Sequence, residues 1–288
     1  MEKGTEKLLP LALVTPILII ILALGLYPFL YVIWLSFQMQ TAATKPVFVG
    51  LENYWNLLFR DRTFRDVLGN TLIYVAATVV AEFLIGLGLA LLLQRDFRGK
   101  RILVPLFYVP MMITPVAIGL NFRIIYNVEY GPLTYFLSFV GVPPVKWIAS
   151  ATYSLFSLIL VDIWEWTPFM FLVLLAGLST VSRECLEASL IDGASYWQRF
   201  RYVTLPFMRG SILVAVLIRM IDAFKAFDVI YTVTEGGPGT SSAVLSFYTY
   251  IVGFRRFSLG DAAAMSLVLF LIILIPSQLL FRTLRRRS

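Results

Sequence analysis

Charged and aromatic side chains interrupt one long apolar stretch of the sequence at helical spacing. Asp162, Glu165, Trp166 and Phe169 stand at positions i, i+3, i+4 and i+7, so an α-helix would place them on one face. A charged side chain at the bilayer centre costs about 2.5–3.5 kcal/mol on insertion scales. The pattern therefore predicts that this face is turned towards a partly hydrated interior.

A second apolar stretch repeats this spacing with a different set of side chains. Its helical stripe consists of Arg219, Asp222, Ala223 and Ala226, and two further charges, Lys225 and Asp228, wind off to the side. Carboxylates accept hydrogen bonds from hydroxyl groups, and an aromatic face covers the apolar C–H side of a pyranose. The two stripes together predict a pathway for a sugar.

A purely structural role for the same charges is the alternative. Arg219–Asp222 and Lys225–Asp228 have the spacing of ion pairs that could fix a helix bundle. The residues alone leave both interpretations open. Glu82 lies inside another apolar stretch, where we expect an interhelical hydrogen bond.

Composition places the chain in a membrane and excludes several kinds of site. Of its 288 residues, 59% are hydrophobic and 14% are charged, whereas soluble domains are nearer one half and one quarter. The chain contains no histidine and a single cysteine, so His-dependent catalysis, His metal sites and an intrachain disulfide are excluded. No catalytic residue and no metal ligand is assigned.

Six apolar segments are long enough to cross a bilayer. They lie at about 11–37, 69–94, 102–126, 152–178, 208–234 and 262–281. The predicted fold is therefore an all-α integral membrane protein, with residues 1–288 forming a single transmembrane domain. Pro105, Pro110 and Pro115 predict that the third segment is kinked or irregular.

Lysine and arginine are distributed unequally between the two sides of these segments. One side, which includes both termini, carries 14 of them, namely Lys3, Lys7, Arg95, Arg98, Lys100, Arg101, Arg183, Arg199, Arg201, Arg209, Arg282, Arg285, Arg286 and Arg287; the other carries 7. The richer side is cytoplasmic by the positive-inside rule. Because this bias accounts for the net charge of +7, no nucleic-acid partner is expected.

A polar stretch from Glu184 to Pro206 lies between two apolar segments on the predicted cytoplasmic side. Gly193 allows a sharp turn between two short apolar faces, and Pro206 suits the first turn of the next helix. The stretch predicts a helix-turn-helix at about residues 183–206, exposed for contact with another protein.

This stretch resembles the EAA loop of the membrane permeases of binding-protein-dependent ABC importers. Glu187, Ala188 and Ser189 are followed after three residues by Gly193, and nine residues later by the segment from Val203 to Leu205-Pro206. The departures from the family pattern are Ser189 for alanine and Val203 for isoleucine. Segments resembling those of carbohydrate-importer permeases extend the likeness from about residue 10 to the end of the chain.

The resemblance implies partners and a cofactor outside this chain. The loop would contact one of two ATP-binding subunits through Glu187, Ala188, Ser189, Asp192, Gly193, Leu205 and Pro206. ATP and Mg²⁺ would be bound by those subunits, because the chain has no Gly-rich phosphate loop ending in Gly-Lys-Ser/Thr. The other implied partners are a second related permease, an extracytoplasmic sugar-binding protein or lipoprotein, and membrane lipid. The implied location is a bacterial or archaeal plasma membrane, which the chain crosses several times.

The resemblance also implies where the sugar passes. In the larger permease subunit of maltose importers, sugar contacts align with the two stripes, although Asp162, Ala223 and Ala226 stand where relatives have asparagine. We expect a di- or oligosaccharide such as trehalose or maltose; glycerol phosphate or another polyol is the alternative. The rivals from other classes are an ion-coupled secondary transporter using the 219–228 charges and an intramembrane enzyme limited to carboxylates.

Overall fold

The computed structural model describes residues 14–41, 44–94 and 97–285 of the chain. Outside these ranges lie Lys3, Lys7, Arg95, Arg286 and Arg287 of the charge comparison, and positions 11–13 of the first predicted segment. The chain divides into two compact units. One comprises Met1–Asp61 and Thr249–Phe270, and the other comprises Arg62–Tyr248 and Leu271–Ser288.

The first unit contains a long apolar helix followed by a small hairpin. Its elements are α1 (Val14–Ser36), the antiparallel strands β1 (Gln38–Met39) and β2 (Val47–Phe48), and α2 (Glu52–Trp55). The buried amide of Asn53 donates hydrogen bonds to the carbonyls of Ser36 and Gln38 at 2.8 and 2.9 Å. Because these carbonyls lie at the end of α1 and in β1, Asn53 fixes the turn that leaves the helix.

The second unit holds most of the remaining helices. They are α3 (Arg62–Leu93), α4 (Lys100–Phe107), α5 (Val109–Met112), α6 (Pro115–Ile125), α7 (Pro132–Ser138), α8 (Ser154–Ser179), α9 (Arg183–Ile191), α10 (Tyr196–Phe224) and α11 (Asp228–Val233). Two further helices, α12 (Leu245–Tyr250) and α13 (Leu259–Arg285), contribute residues to both units.

The packing of α3 against α8 forms the centre of the second unit. The buried residues of α3 recur every three or four positions, at Phe64, Val67, Thr71, Tyr74, Val75, Thr78, Val79, Glu82, Gly86 and Ala90. Gly86 allows the closest approach, because a Cβ atom there would lie 2.8 Å from Cβ of Met170 and 2.9 Å from the backbone nitrogen of Phe171. A small residue at this crossing brings the two backbones together.

Five helices in the described part of the chain are long and apolar enough to cross a membrane: α1, α3, α8, α10 and α13. The third predicted segment, at 102–126, is divided among α4, α5 and α6, as its prolines predict. Ile113 and Thr114 are extended, and Thr114 precedes Pro115, a position that disfavours helix. The prediction of six spanning helices is therefore supported for five segments, while the third is not one continuous helix.

The bounds predicted for the fifth segment, 208–234, are wrong at both ends. Helix α10 begins at Tyr196. Pro206 has no N–H to donate to the preceding turn, and a π-helical turn at Phe200–Thr204 lets the helix continue through this position. The helix ends at Phe224, and α11 begins only at Asp228. The second helix of the predicted 183–206 helix-turn-helix is thus the first part of a spanning helix.

Candidate functional site

A polar cavity of about 120 Å³ lies among the helices of the second unit. It is lined by Pro115, Asp162, Glu165, Trp166, Asp222, Lys225, Ala226, Phe227, Asp228 and Val229. Three of these residues belong to the stripe on α8, and the others come from the start of α6, the end of α10, the segment that joins α10 to α11 and the first turn of α11. The structure therefore brings members of both predicted stripes to one cavity.

The ending of α10 at Phe224 decides which residues line the cavity. A continuous helix would have carried Lys225 and Asp228 away from the stripe, but the non-helical segment places both of them along the cavity. The carbonyl of Ala226, released from the helix, accepts a hydrogen bond from the hydroxyl of Ser246. Phe227 and Val229, which no sequence pattern indicated, enter the lining through the same break.

Arg219 lies beside the cavity and is only 1% exposed. Its Nε lies 2.7 Å from Oε2 of Glu82, and its Nη2 donates to Oε1 of the same carboxylate at 3.0 Å. Nη2 also donates to Asp162, and Nη1 donates to Asp222 at 3.4 Å. A buried guanidinium requires such partners, because leaving it unpaired in a medium of low dielectric constant is strongly unfavourable.

This cluster joins three helices, since Glu82 lies on α3, Asp162 on α8 and Arg219 on α10. The interhelical hydrogen bond expected for Glu82 is confirmed. The structural interpretation of the Arg219–Asp222 pair is also supported, while Lys225 pairs weakly with Asp222, at 4.0 Å, rather than with Asp228. Asp162 has both roles: it binds Arg219 and lines the cavity.

Glu165 differs from the other acidic residues of the lining in having a buried carboxylate oxygen without a hydrogen-bond partner among the described residues. The residue is 1% exposed, and its Oε2 has no hydrogen-bond donor within the described ranges. It lines the cavity one helical turn after Asp162. Buried carboxylate oxygens normally accept a hydrogen bond, so this unsatisfied acceptor at the cavity wall is a candidate contact for a solute.

The aromatic members of the α8 stripe lie next to this acceptor. The ring of Trp166 lies 5.2 Å from Cζ of Arg219 and edge-on to Phe169 at 6.4 Å. Trp166 also lines a second cavity of about 340 Å³, together with Phe169, Ile218, Arg219, Ile221, Asp222 and Lys225. Ala223, in contrast, is 1% exposed and is found in neither lining.

The stretch that resembles an EAA loop forms an exposed elbow, defined here as Arg183–Arg199. Ser182 caps α9, Ser195 and Gln198 form a capping box at the start of α10, and Gly193 between them has φ = +74°. Ile191 is 87% exposed and Trp197 is 64% exposed. Leu190 and Tyr196 are exposed as well, and several large exposed apolar side chains on one short segment are typical of a protein contact surface.

The predicted coupling residues are distributed unevenly over this region. Glu187, Ala188, Asp192 and Gly193 are exposed on the elbow, and Ser189 is half-buried. Leu205 and Pro206 follow the elbow on α10, where they line an apolar groove with Phe83 and Leu87 of α3. The turn itself is therefore the most accessible part of the motif.

Comparison with known proteins identifies the chain as a transporter subunit. Residues 82–287 match the family described as binding-protein-dependent transport system inner membrane component. The trehalose/maltose transport system permease protein MalF of Thermococcus litoralis is 33% identical over 279 residues, covering 94% of this chain and 92% of that protein. The trehalose transport system permease protein SugA of Mycobacterium tuberculosis is 35% identical over 271 residues, covering 93% and 86% respectively.

One further sequence relative and one solved structure of similar fold are named for other solutes. The sulfoquinovosyl glycerol transport system permease protein SmoG of Agrobacterium fabrum is 31% identical over 285 residues, covering 98% of this chain and 92% of that protein. A crystal structure of a bacterial ABC transporter that imports the acidic polysaccharide alginate contains a chain of the same fold, with a TM-score of 0.85 at 22% identity, covering 100% of this chain and 98% of that one. The chain described here belongs to the family of multi-pass inner-membrane components of binding-protein-dependent transport systems, the permease subunits of ABC transporters.

Proposed function

We propose that this chain is a permease subunit of an ATP-driven importer for a di- or oligosaccharide such as trehalose or maltose. The observation that carries the proposal is the cavity in which the carboxylates of Asp162, Glu165 and Asp222 meet the ring of Trp166. These groups supply hydroxyl acceptors and a flat apolar surface, which is the combination that a pyranose requires. The names of the relatives point to the same class of solute.

The proposed assembly has this chain beside a second related permease, with two ATP-binding subunits at the cytoplasmic face and a sugar-binding protein at the other. Both termini and the elbow would face the cytoplasm, in accordance with the charge bias. The divided segment α4–α6 would supply the sixth crossing, with its freed backbone groups satisfied by neighbouring protein. ATP and Mg²⁺ would remain in the partner subunits.

The elbow provides the proposed mechanical connection to ATP hydrolysis. Its exposed turn would be held in a cleft of one ATP-binding subunit and would move when the two such subunits close on ATP. Because the second helix of the elbow continues as α10, a displacement of the turn would be transmitted along α10 to Arg219 and Asp222. The last part of the elbow and the cavity residue Asp222 thus belong to the same helix.

Transport by the purified assembly in liposomes tests this function. With the binding protein outside and ATP supplied to the ATP-binding subunits, we expect accumulation of radiolabelled trehalose or maltose that stops when ATP is omitted. A protonophore should leave uptake unchanged. Uptake without ATP that a protonophore abolishes would instead support an ion-coupled secondary transporter and overturn the proposal.

A further inference from the structure

The charges around the cavity are strongly unbalanced. Among the described residues, four carboxylates belong to its lining, those of Asp162, Glu165, Asp222 and Asp228, and Lys225 is the only cation there. Arg219 approaches from behind, but it already contacts Glu82 through two atom pairs at 2.7 and 3.0 Å. Five carboxylates and two cations give the group a formal charge of −3.

The ion-pair partners of each charged residue show which carboxylates carry the excess negative charge. Arg219 is neutralised chiefly by Glu82 and Asp162, and Lys225, whose side chain is 60% exposed, lies 4.0 Å from Asp222. Glu165 has no cation partner among the described residues, and its buried Oε2 accepts no hydrogen bond there. Asp228, at the start of α11, has no ion pair with a described residue either, so the unneutralised charge lies on Glu165, beside Trp166, and on Asp228.

A charge surplus of this kind acts on solutes over several ångströms. Low-dielectric walls concentrate the field of lining charges, so the local concentration of ions of opposite sign rises and that of ions of like sign falls. Neutral hydroxyl groups are unaffected by the net charge and still find carboxylate acceptors. An anionic group would meet repulsion and would find no free guanidinium, since the nitrogens of Arg219 are engaged.

We infer that the cavity selects solutes by charge, accepting neutral and positively charged sugars and excluding sugars that carry phosphate, sulfonate or carboxylate groups. This inference rests on the proposed function, whose site it describes. The inference excludes glycerol phosphate, which is an anion, as a solute of this chain. Glu165 and Asp228 determine this specificity, because these two lining carboxylates have no cation partner among the described residues.

The sole cysteine of the chain makes a direct test possible. With Cys185→Ser as background, Ala226→Cys places a thiol in the cavity lining, in the assembled transporter in lipid nanodiscs. The probes are the cationic trimethylammonioethyl, anionic sulfonatoethyl and neutral hydroxyethyl methanethiosulfonates. Ser138→Cys provides the control thiol, because it is exposed and no acidic or basic residue stands between Glu129 and Lys146.

The measured quantity is the rate of modification by the cationic reagent divided by the rate with the anionic reagent. This ratio at Ala226→Cys is divided by the ratio at Ser138→Cys, and we expect the corrected ratio to be on the order of tenfold or more. Adding Glu165→Gln should lower this corrected ratio severalfold. Adding Asp66→Asn, which removes an exposed carboxylate outside the lining, should leave it unchanged.

Each contrary result has a definite meaning. A corrected ratio near one, or a ratio that Glu165→Gln does not alter, overturns the inference. Failure of the neutral reagent to label Ala226→Cys, both without nucleotide and with ATP and vanadate, overturns it as well, because the cavity would then be closed to solutes. Trehalose uptake by the same preparation is measured separately, so a cation preference without sugar transport would reject the proposed function alone.

Discussion

Arg219 and Glu82 form a two-point ion pair between α10 and α3, with Nε–Oε2 at 2.7 Å and Nη2–Oε1 at 3.0 Å. The side chains are 1% and 0% exposed, so water does not compete for either charge. The Nη2–Oε1 contact is a charge-assisted hydrogen bond, and the Nε–Oε2 contact is a second close approach of the same two charges. The pair therefore positions the helix face from which Asp222 reaches the cavity.

Removing one member of this pair should destabilise the chain strongly. Glu82→Ala leaves the guanidinium with Asp162 and the more distant Asp222, and breaking a buried pair typically costs about 3–5 kcal/mol. The free energy of unfolding in mixed detergent micelles measures the loss. Glu235→Ala is the matched control, because Glu235 pairs with Arg123 at 3.3 Å with both side chains 51% exposed, where about 0–1 kcal/mol is expected. Equal losses in the two variants would contradict a structural role for the buried pair.

The α3–α8 crossing should tolerate no side chain at Gly86. Gly86→Leu forces a Cβ atom to within 2.8 Å of Met170 and 2.9 Å of the backbone of Phe171, so we expect a loss of at least about 1–3 kcal/mol from overpacking. The yield of monodisperse protein and its melting temperature report the effect. Gly88→Leu lies two residues along the same helix, where the added Cβ has no atom of the structurally described residues within 4 Å, and should behave like the unmodified chain. If Gly88→Leu lost as much stability, the cause would be the leucine and not the crossing.

A bulky residue at Gly193 should separate ATP hydrolysis from transport. Gly193→Phe adds a side chain at a solvent-exposed turn where no atom of the described residues lies within 4 Å of the added Cβ, so insertion into the membrane should be retained. Sugar uptake in liposomes should fall by about tenfold or more, because the turn could no longer enter the cleft of an ATP-binding subunit. Gly99→Phe imposes a comparable backbone strain, since Gly99 has φ = +91° and is likewise unobstructed. Unchanged uptake in Gly193→Phe would remove the elbow from the mechanism.

The ring of Trp166 should contribute to solute affinity. Trp166→Ala removes the flat surface beside Glu165, and we expect the KM for sugar uptake to rise by about tenfold, corresponding to about 1.4 kcal/mol. Trp164→Ala on the same helix is the comparison, because Trp164 is 45% exposed and packs edge-on against Phe122 at 5.4 Å. Kinetic measurement of uptake with a fixed concentration of binding protein distinguishes them. A similar change in KM for both tryptophans would indicate a general effect on α8.

The sequence by itself determined the apolar segments, the charge stripes and the elbow. Segment length, helical periodicity and proline are local properties, so α3, α8 and the interrupted α4–α6 segment follow from the order of residues. The turn at Gly193 is also local, because few residues other than glycine adopt φ = +74° at low cost. Periodicity likewise placed Asp162, Glu165 and Trp166 on one face.

Only the tertiary structure decided what each face meets. Glu82 and Arg219 are separated by 137 positions, and periodicity indicates which side of a helix is polar but not which helix lies opposite. The sequence also did not indicate that α10 ends at Phe224, because the apolar pattern continues to residue 234. The break depends on a distant residue, since the hydroxyl of Ser246 donates a hydrogen bond to the carbonyl of Ala226. That break brings Lys225 and Asp228 to the cavity. The charge balance of the site is therefore a product of packing, since it depends on which distant residues neutralise one another.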